Sequence, residues 1–260
     1  MDTHKKKALD GVRNLFRVLI VLFFIAGPLS PIAGASEISP EEILRKADQA
    51  RGNVEGIEWR IEIDSVEQGR KQHRILCVKA RGYNSLAEFL GPAKVKGQKL
   101  LMIDRNMWFI KPGLRKPVPI SPRQKLLGGA SNGDIASTNY SGDYEITKAS
   151  RAVSNGEPCR LFDLKATNKS ATYDRILYWV SDTRLVGVRA EFFTISGKMF
   201  KSAVFEYANH ISLGGQQRPF ISRMTITNAL LKEDVTVMDY KEPEVRPIPD
   251  SDFNLNLLVR

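Results

Sequence analysis

The residues able to do covalent or metal chemistry are few and poorly grouped. Of three histidines in 260 residues, His4 lies near the start, leaving His73 and His210, both in polar strand or turn contexts. No His-Glu-x-x-His or paired-cysteine metal motif occurs, so zinc chemistry lacks its set of residues. Gly128-Gly129 and Gly133-Asp134 suggest a phosphate cradle, but no Gly-Lys-Ser/Thr follows, and a flexible connection is the plainer reading. Asp134 and Asp143 are nine apart, an ordinary loop spacing and not a cation site. Asn168-Lys169-Ser170 fits a glycosylation acceptor, which matters only in a eukaryotic secretory pathway, and is read as chance. Cys77 and Cys159 are the only cysteines. They either form one disulfide in an oxidising compartment or stay apart as small buried hydrophobes. The residues point to a binding protein without metal or cofactor, not to an enzyme.

The compartment is legible at the start of the chain. Lys5, Lys6, Lys7, Arg13 and Arg17 precede an apolar run from Val18 to Ala26. Pro28 and Pro31 break that run, and Ala33-Gly34-Ala35 offers a small-x-small cleavage pattern. The apolar core is shorter than the roughly 20 residues a membrane span requires. Residues 1–35 therefore read as a cleavable export signal, with an uncleaved anchor as the alternative. Because the first cysteine is Cys77, no thiol stands at the cleavage site to carry a lipid. The mature chain is expected to be soluble, with residues 36–260 as one domain.

The formal net charge of +10 raises nucleic acid or anionic lipid as partners. The basic residues are scattered, however, and no recognition helix, zinc module or aromatic RNA-binding signature accompanies them. Nucleic acid is set aside; attraction to anionic headgroups is kept.

The elements that must position any site are mostly strands. Ser39-Pro40-Glu41-Glu42 gives a capping serine, proline at the first helical position and glutamate three after the cap. Ile43, Leu44, Ala47 and Ala50 then recur at helical spacing up to Gly52. From Ile57 the period becomes two: Trp59, Ile61 and Ile63 alternate with Glu58, Arg60, Glu62 and Asp64. Strand-like runs follow near 74–80, 86–90, 98–103, 107–111, 143–148, 159–166, 175–181, 186–194, 198–207, 220–229 and 234–240. Short polar connectors imply an antiparallel meander. The long interruption from Lys116 to Gly142 predicts a lid, a binding loop or disorder, with a short helix able to start at Ser121-Pro122 and end at Gly128-Gly129.

Several segments carry a family resemblance. Asp104-Arg105-Asn106-Met107-Trp108-Phe109-Ile110-Lys111-Pro112 is followed by Pro119-Ile120-Ser121 and by the run from Leu127 to Ala136. Tyr140-Ser141-Gly142-Asp143-Tyr144 and Asp252-Phe253-Asn254 complete the set. Together they resemble the periplasmic outer-membrane lipoprotein-sorting proteins, the LolA-like carrier superfamily, over nearly all of the mature chain. The resemblance implies an incomplete antiparallel β-barrel, with an N-terminal helix and a short helical lid over an apolar cavity for acyl chains. It further implies a monomeric periplasmic carrier or chaperone of acylated lipoprotein or membrane lipid, facing an inner-membrane transporter and an outer-membrane acceptor. The alternative is a periplasmic lipid-sensing regulator or an accessory module of a membrane transporter. The characterised carriers latch their lid with an arginine on an early strand; Arg60, Arg74 and Arg81 all stand in that region.

A soluble carrier must replace water around an acyl chain with a concave apolar surface, at about 0.8 kcal/mol per buried CH₂. The inward rows expected to supply it are Trp59/Ile61/Ile63, Trp108/Ile110 and Leu177/Trp179, with Met102, Met199 and Phe205 as additions. The same alternation also describes an ordinary filled core.

Overall fold

The computed structural model describes residues 38–259; the export-signal reading of residues 1–35 lies outside them. Helix α1 (Pro40–Gln49) forms where the spacing predicts, with Ser39 Oγ accepting the Glu42 amide at 3.2 Å. The Glu42 carboxylate does not return to the cap: it pairs with Arg45 at 2.6 Å. Gly52, at φ +100°, ends the helical segment in a conformation that favours glycine. A Cβ there would meet the Trp59 ring at 2.9 Å, so the missing side chain also admits the indole.

The first arm of the sheet is a meander: β1 (Ile57–Glu67), β2 (Arg70–Arg81), β3 (Asn84–Gly91), β4 (Lys99–Ile103), β5 (Asn106–Ile110) and β6 (Val118–Ile120). An insert follows, made of the small hairpin β7 (Lys125–Leu127) and β8 (Ala130–Ser131), a 3-10 turn (Asn132–Asp134) and the one-turn helix α2 (Tyr140–Asp143). The helix expected from Ser121 is therefore a turn and hairpin, and the helical turns lie later in the insert. Leu126 and Leu127 alternate around the short strand and bury only Leu127, a period that suits a strand better than a helix.

The second arm comprises β9 (Tyr144–Ser154), β10 (Glu157–Ala166), β11 (Arg175–Ser181), β12 (Gly187–Phe193) and β13 (Met199–Glu206). A separate hairpin, β14 (Asn209–Leu213) and β15 (Gln216–Phe220), precedes β16 (Arg223–Asn228) and β17 (Val235–Val245). A 3-10 turn (Asp250–Phe253) and α3 (Leu255–Leu258) follow.

Thirteen strands form one antiparallel sheet in the order β6-β5-β4-β3-β2-β1-β17-β16-β13-β12-β11-β10-β9. Pairing of β1 with β17 joins the two arms, Ile61 opposite Tyr240 and Ile63 opposite Met238. The end strands β6 and β9 do not pair with each other, so the sheet is an open half-barrel. Among the described residues no helix is long and apolar enough to cross a membrane.

Candidate functional site

Alternate residues of nearly every strand point to the concave side, where they meet in one cluster. Trp59, Ile61 and Ile63 come from β1, Phe162 and Leu164 from β10, Met224 and Ile226 from β16, and Met238 from β17. Ile176, Tyr178, Phe192 and Phe205 complete that surface from β11, β12 and β13. Its cover is α1, through Ile43, Leu44 and Ala47, and the insert, through Leu127, Ala130, Ile135 and Tyr140. The concave face is thus packed beneath its cover, with Trp59 and Phe220 edge to face at 5.8 Å between centroids.

Against this surface the expected rows divide. Trp59, Ile61, Ile63 and Phe205 lie in the cluster, and Met102 packs on it half-buried. Trp108 and Ile110 face the other way, into a separate cluster with Leu86, Leu101, Ile248 and Phe253. The inward residues of β5 and its neighbour are Met107, Phe109 and Leu100. Leu177 and Trp179 are likewise on the opposite face of β11 from Ile176 and Tyr178. The Trp179 ring packs near Cys159 and Val188 and carries Arg189 at 4.8 Å from its centroid. Met199 is half-buried at the start of β13, outside these clusters. The corrections on β5 and β11 have one cause. Met107-Trp108-Phe109-Ile110 and Ile176-Leu177-Tyr178-Trp179-Val180 are continuously apolar, because both faces are covered, and a one-residue slip exchanges the faces.

The insert is fastened through buried polar groups. Lys201, on β13 at an inward position, and Asp134 are 5% and 3% exposed, with Nζ and Oδ2 3.1 Å apart. Lys201 also donates to the Gly129 carbonyl at 2.7 Å. Asp134 accepts the Tyr173 hydroxyl at 2.6 Å and the Ser131 amide at 2.8 Å. Burial pushes the Lys201 ammonium down from its ordinary range, and Asp134 pulls it back. Burial, and then the charge of Asp134, pushes the Tyr173 phenol up, so it remains a donor. At φ +54°, Gly128 lets the insert's backbone reach β1: a Cβ would sit 2.6 Å from that of Ser65. The next amide, Gly129, donates to Thr236 Oγ1 at 2.8 Å.

A second fastening joins α1 to α2. Asp48 is buried on the helix and accepts the Tyr140 and Ser141 amides at 3.0 and 2.8 Å. Burial raises its carboxyl to about 7, against those amides and nearby Arg51. Arg51 is buried among aromatic rings, 4.5 Å over Phe205 and 5.3 Å over Tyr140. Its Nη1 has no hydrogen-bond partner, although an arginine cannot discharge.

None of the three early-strand arginines performs this fastening. Arg60 lies 3.6 Å from Glu62, Arg74 donates to the His73 carbonyl, and Arg81 binds the C-terminal segment through the Ile248 carbonyl and Asp250. Sequence reasoning missed Asp48, Arg51, Tyr173 and Lys201, and read Asp134 only as an ordinary loop carboxylate. A signal existed for three of them. Asp48 and Arg51 continue the Leu44/Ala47 stripe of α1, and Lys201 shares the inward period of Ala203 and Phe205.

The other candidate chemistry is dispersed. Asp134 is held by Lys201 and Asp143 pairs with Arg105, so the two carboxylates share no site. His73 meets Asp64 at 2.9 Å on the surface, and His210 is exposed. Among the described residues no three His, Cys, Asp or Glu side chains are grouped to hold a metal. Cys77 and Cys159 are free thiols; burial, then Glu58, pushes Cys77 up to about 12.

Comparison with known proteins agrees with this architecture. A family model described as "Uncharacterized protein"-like matches residues 82–260. No curated protein matches the sequence. A LolA superfamily protein from Nitrosomonas europaea is 29% identical, with a TM-score of 0.75 over 84% of this chain and 98% of its own. An outer membrane lipoprotein-sorting protein domain from Vibrio parahaemolyticus is 18% identical, with a TM-score of 0.71 over 85% of this chain and 98% of its own. A DUF1329 family protein from Desulfovibrio piger is also 18% identical, at a TM-score of 0.68 over 84% and 97%. The chain belongs to the family of that "Uncharacterized protein"-like model, and its fold is that of the LolA superfamily protein from Nitrosomonas europaea.

Proposed function

We propose that this protein is a periplasmic carrier, exported by residues 1–35, that takes the acyl chains of a lipoprotein or membrane lipid against the concave face of its sheet and conveys them toward the outer membrane. The observation that carries this reading is the buried Lys201–Asp134–Tyr173 fastening of the insert over an otherwise apolar surface. A buried ion pair adds little net stability, because its desolvation offsets its attraction. A cover fastened this way regains ionic hydration as it opens. Acyl methylenes then take the place of Leu127, Ala130, Ile135 and Tyr140 against Trp59, Ile61, Ile63, Phe205 and Met102. Loading is a binding and opening step with no chemical transformation, at an inner-membrane transporter, and unloading follows at an outer-membrane acceptor.

The test is a reversible lock. A Cβ on Gly129 would lie 3.7 Å from that of Ile226, within the range a disulfide spans. Oxidised Gly129→Cys/Ile226→Cys protein should lose binding of a fluorescent fatty acid or acylated peptide and regain it on reduction. Equal binding in both redox states would place the acyl site elsewhere and end this reading.

A further inference from the structure

The carrier reading leaves unused a cleft of about 550 Å³ outside α1. Its walls are the C-terminal half of α1, the β11–β12 turn and the β14–β15 hairpin. Four cations line it, Arg45, Lys46, Arg184 and Arg218, against one lining carboxylate, Glu55. Arg45 and Arg184 are held by Glu42 and Glu157, both contacts at 2.6 Å, and Lys46 stands 3.5 Å from Glu42. Exposed Arg218 is hydrogen-bonded to the neutral amide of Gln216 and keeps its full charge for a ligand.

A second observation points the same way. Asn139 lines this cleft and also a small inner pocket beside Arg51, and is only 8% exposed. Its Oδ1 accepts from Asn53 at 3.1 Å, which turns Nδ2 away from Asn53 and leaves that donor without a partner. A buried unpaired donor has lost its water without a replacement bond. The apolar part of the wall is supplied by Val54, Val186 and Leu213.

We propose that the cleft binds the phosphate-bearing headgroup of an anionic phospholipid. Lys46 and Arg218 neutralise the charge of the phosphodiester, the Asn139 amide, closed off from solvent in this structure, turns outward so that Nδ2 donates to it at the inner end, and the glycerol and first methylenes lie on Val54, Val186 and Leu213. This site is separate from the concave face and does not require the insert to open.

The full-length mature protein is titrated with dihexanoyl-phosphatidylglycerol below its micellar threshold, with dihexanoyl-phosphatidylcholine and inorganic phosphate as separate arms. The anionic lipid should bind saturably, and Lys46→Glu/Arg218→Glu should weaken it by about tenfold or more, the equivalent of about 1.4 kcal/mol. Both positions are at the surface, and an unchanged denaturation midpoint establishes that the variant is folded. Equal affinity for the zwitterionic lipid, or an unaffected variant, would overturn the proposal. Inorganic phosphate binding as tightly as the lipid would assign the site to a free anion and overturn the lipid source. Binding must persist in the oxidised Gly129→Cys/Ile226→Cys lock. Its loss there would mean that the lipid enters beneath the insert, whereas failure of the acyl reading alone leaves headgroup binding intact.

Discussion

One sheet carries two covers, and they are fastened by different physics. On the outer face of β3–β5, the C-terminal segment buries Ile248 and Phe253 against Leu86, Leu101 and Ile110. Its polar contacts are half in water: Lys79 meets Asp252 at 3.0 Å with 29% and 23% of their side chains exposed, and Arg81 stacks on Phe253 at 5.2 Å. On the concave face, the insert closes over a nearly dry ion pair, Lys201–Asp134. The outer cover gains about 1.5–3 kcal/mol for each large apolar side chain it buries and has less ionic desolvation to offset, since its charges stay partly in water. The inner cover sets similar apolar gains against dehydrated charges. On the proposed carrier reading, the outer cover stays in place and the inner one is the one that opens.

The sharpest way to break this contrast is to remove one half of the inner ion pair. Lys201→Ala leaves Asp134 buried without its cation and should cost about 3–5 kcal/mol, read from the denaturation midpoint. Lys201→Met with Asp134→Asn should recover much of that loss, since neither charge then needs water. Tyr173→Phe removes one hydrogen bond to the carboxylate and should cost about 1.5–3 kcal/mol. Hydrogen exchange should then quicken in residues 125–143 and leave the C-terminal segment unchanged.

The α1–α2 fastening predicts a pH dependence. Burial raises Asp48 to about 7 in the folded protein, above the ordinary value of 3.8, so the folded state holds this proton more tightly than the unfolded chain. The stabilisation from that proton is fully present below about pH 4 and is lost as pH rises through 7. Asp48→Asn should remove this component from the slope of stability against pH between those values. An unchanged slope would place the titration elsewhere. The smallest effect is expected at Trp108, which lies under the outer cover. Trp108→Ala should loosen the C-terminal segment, seen by hydrogen exchange, and leave acyl affinity unchanged.

Legibility in the sequence follows the number of covered faces. β1 is wet on one side, so Glu58, Arg60, Glu62 and Asp64 mark the outside and fix Trp59, Ile61 and Ile63 as inward. β5 is covered on both sides by segments far away in sequence. Ile248 and Phe253 reach Trp108 and Ile110 from the chain's other end, and no local pattern foretells that contact. The helix α1 was readable from Ser39 and Pro40 because capping is local. The insert was not, since its conformation is set by long-range partners such as Thr236 and Lys201. The polar fastening left only a faint trace, charged residues at inward periods of a helix and a strand, and that pattern also fits a tolerated irregularity.

The central claim is that acyl chains lie on the concave face beneath the insert. A fatty acid carrying a diazirine near its methyl end, photolysed with the mature protein and mapped by peptide mass spectrometry, tests it most directly. The account predicts labels on β1, β16 and β17 around Ile63, Ile226 and Met238, lost in the oxidised lock. Labels on Leu101, Trp108 or Ile110, or labelling that the lock leaves unchanged, would contradict it.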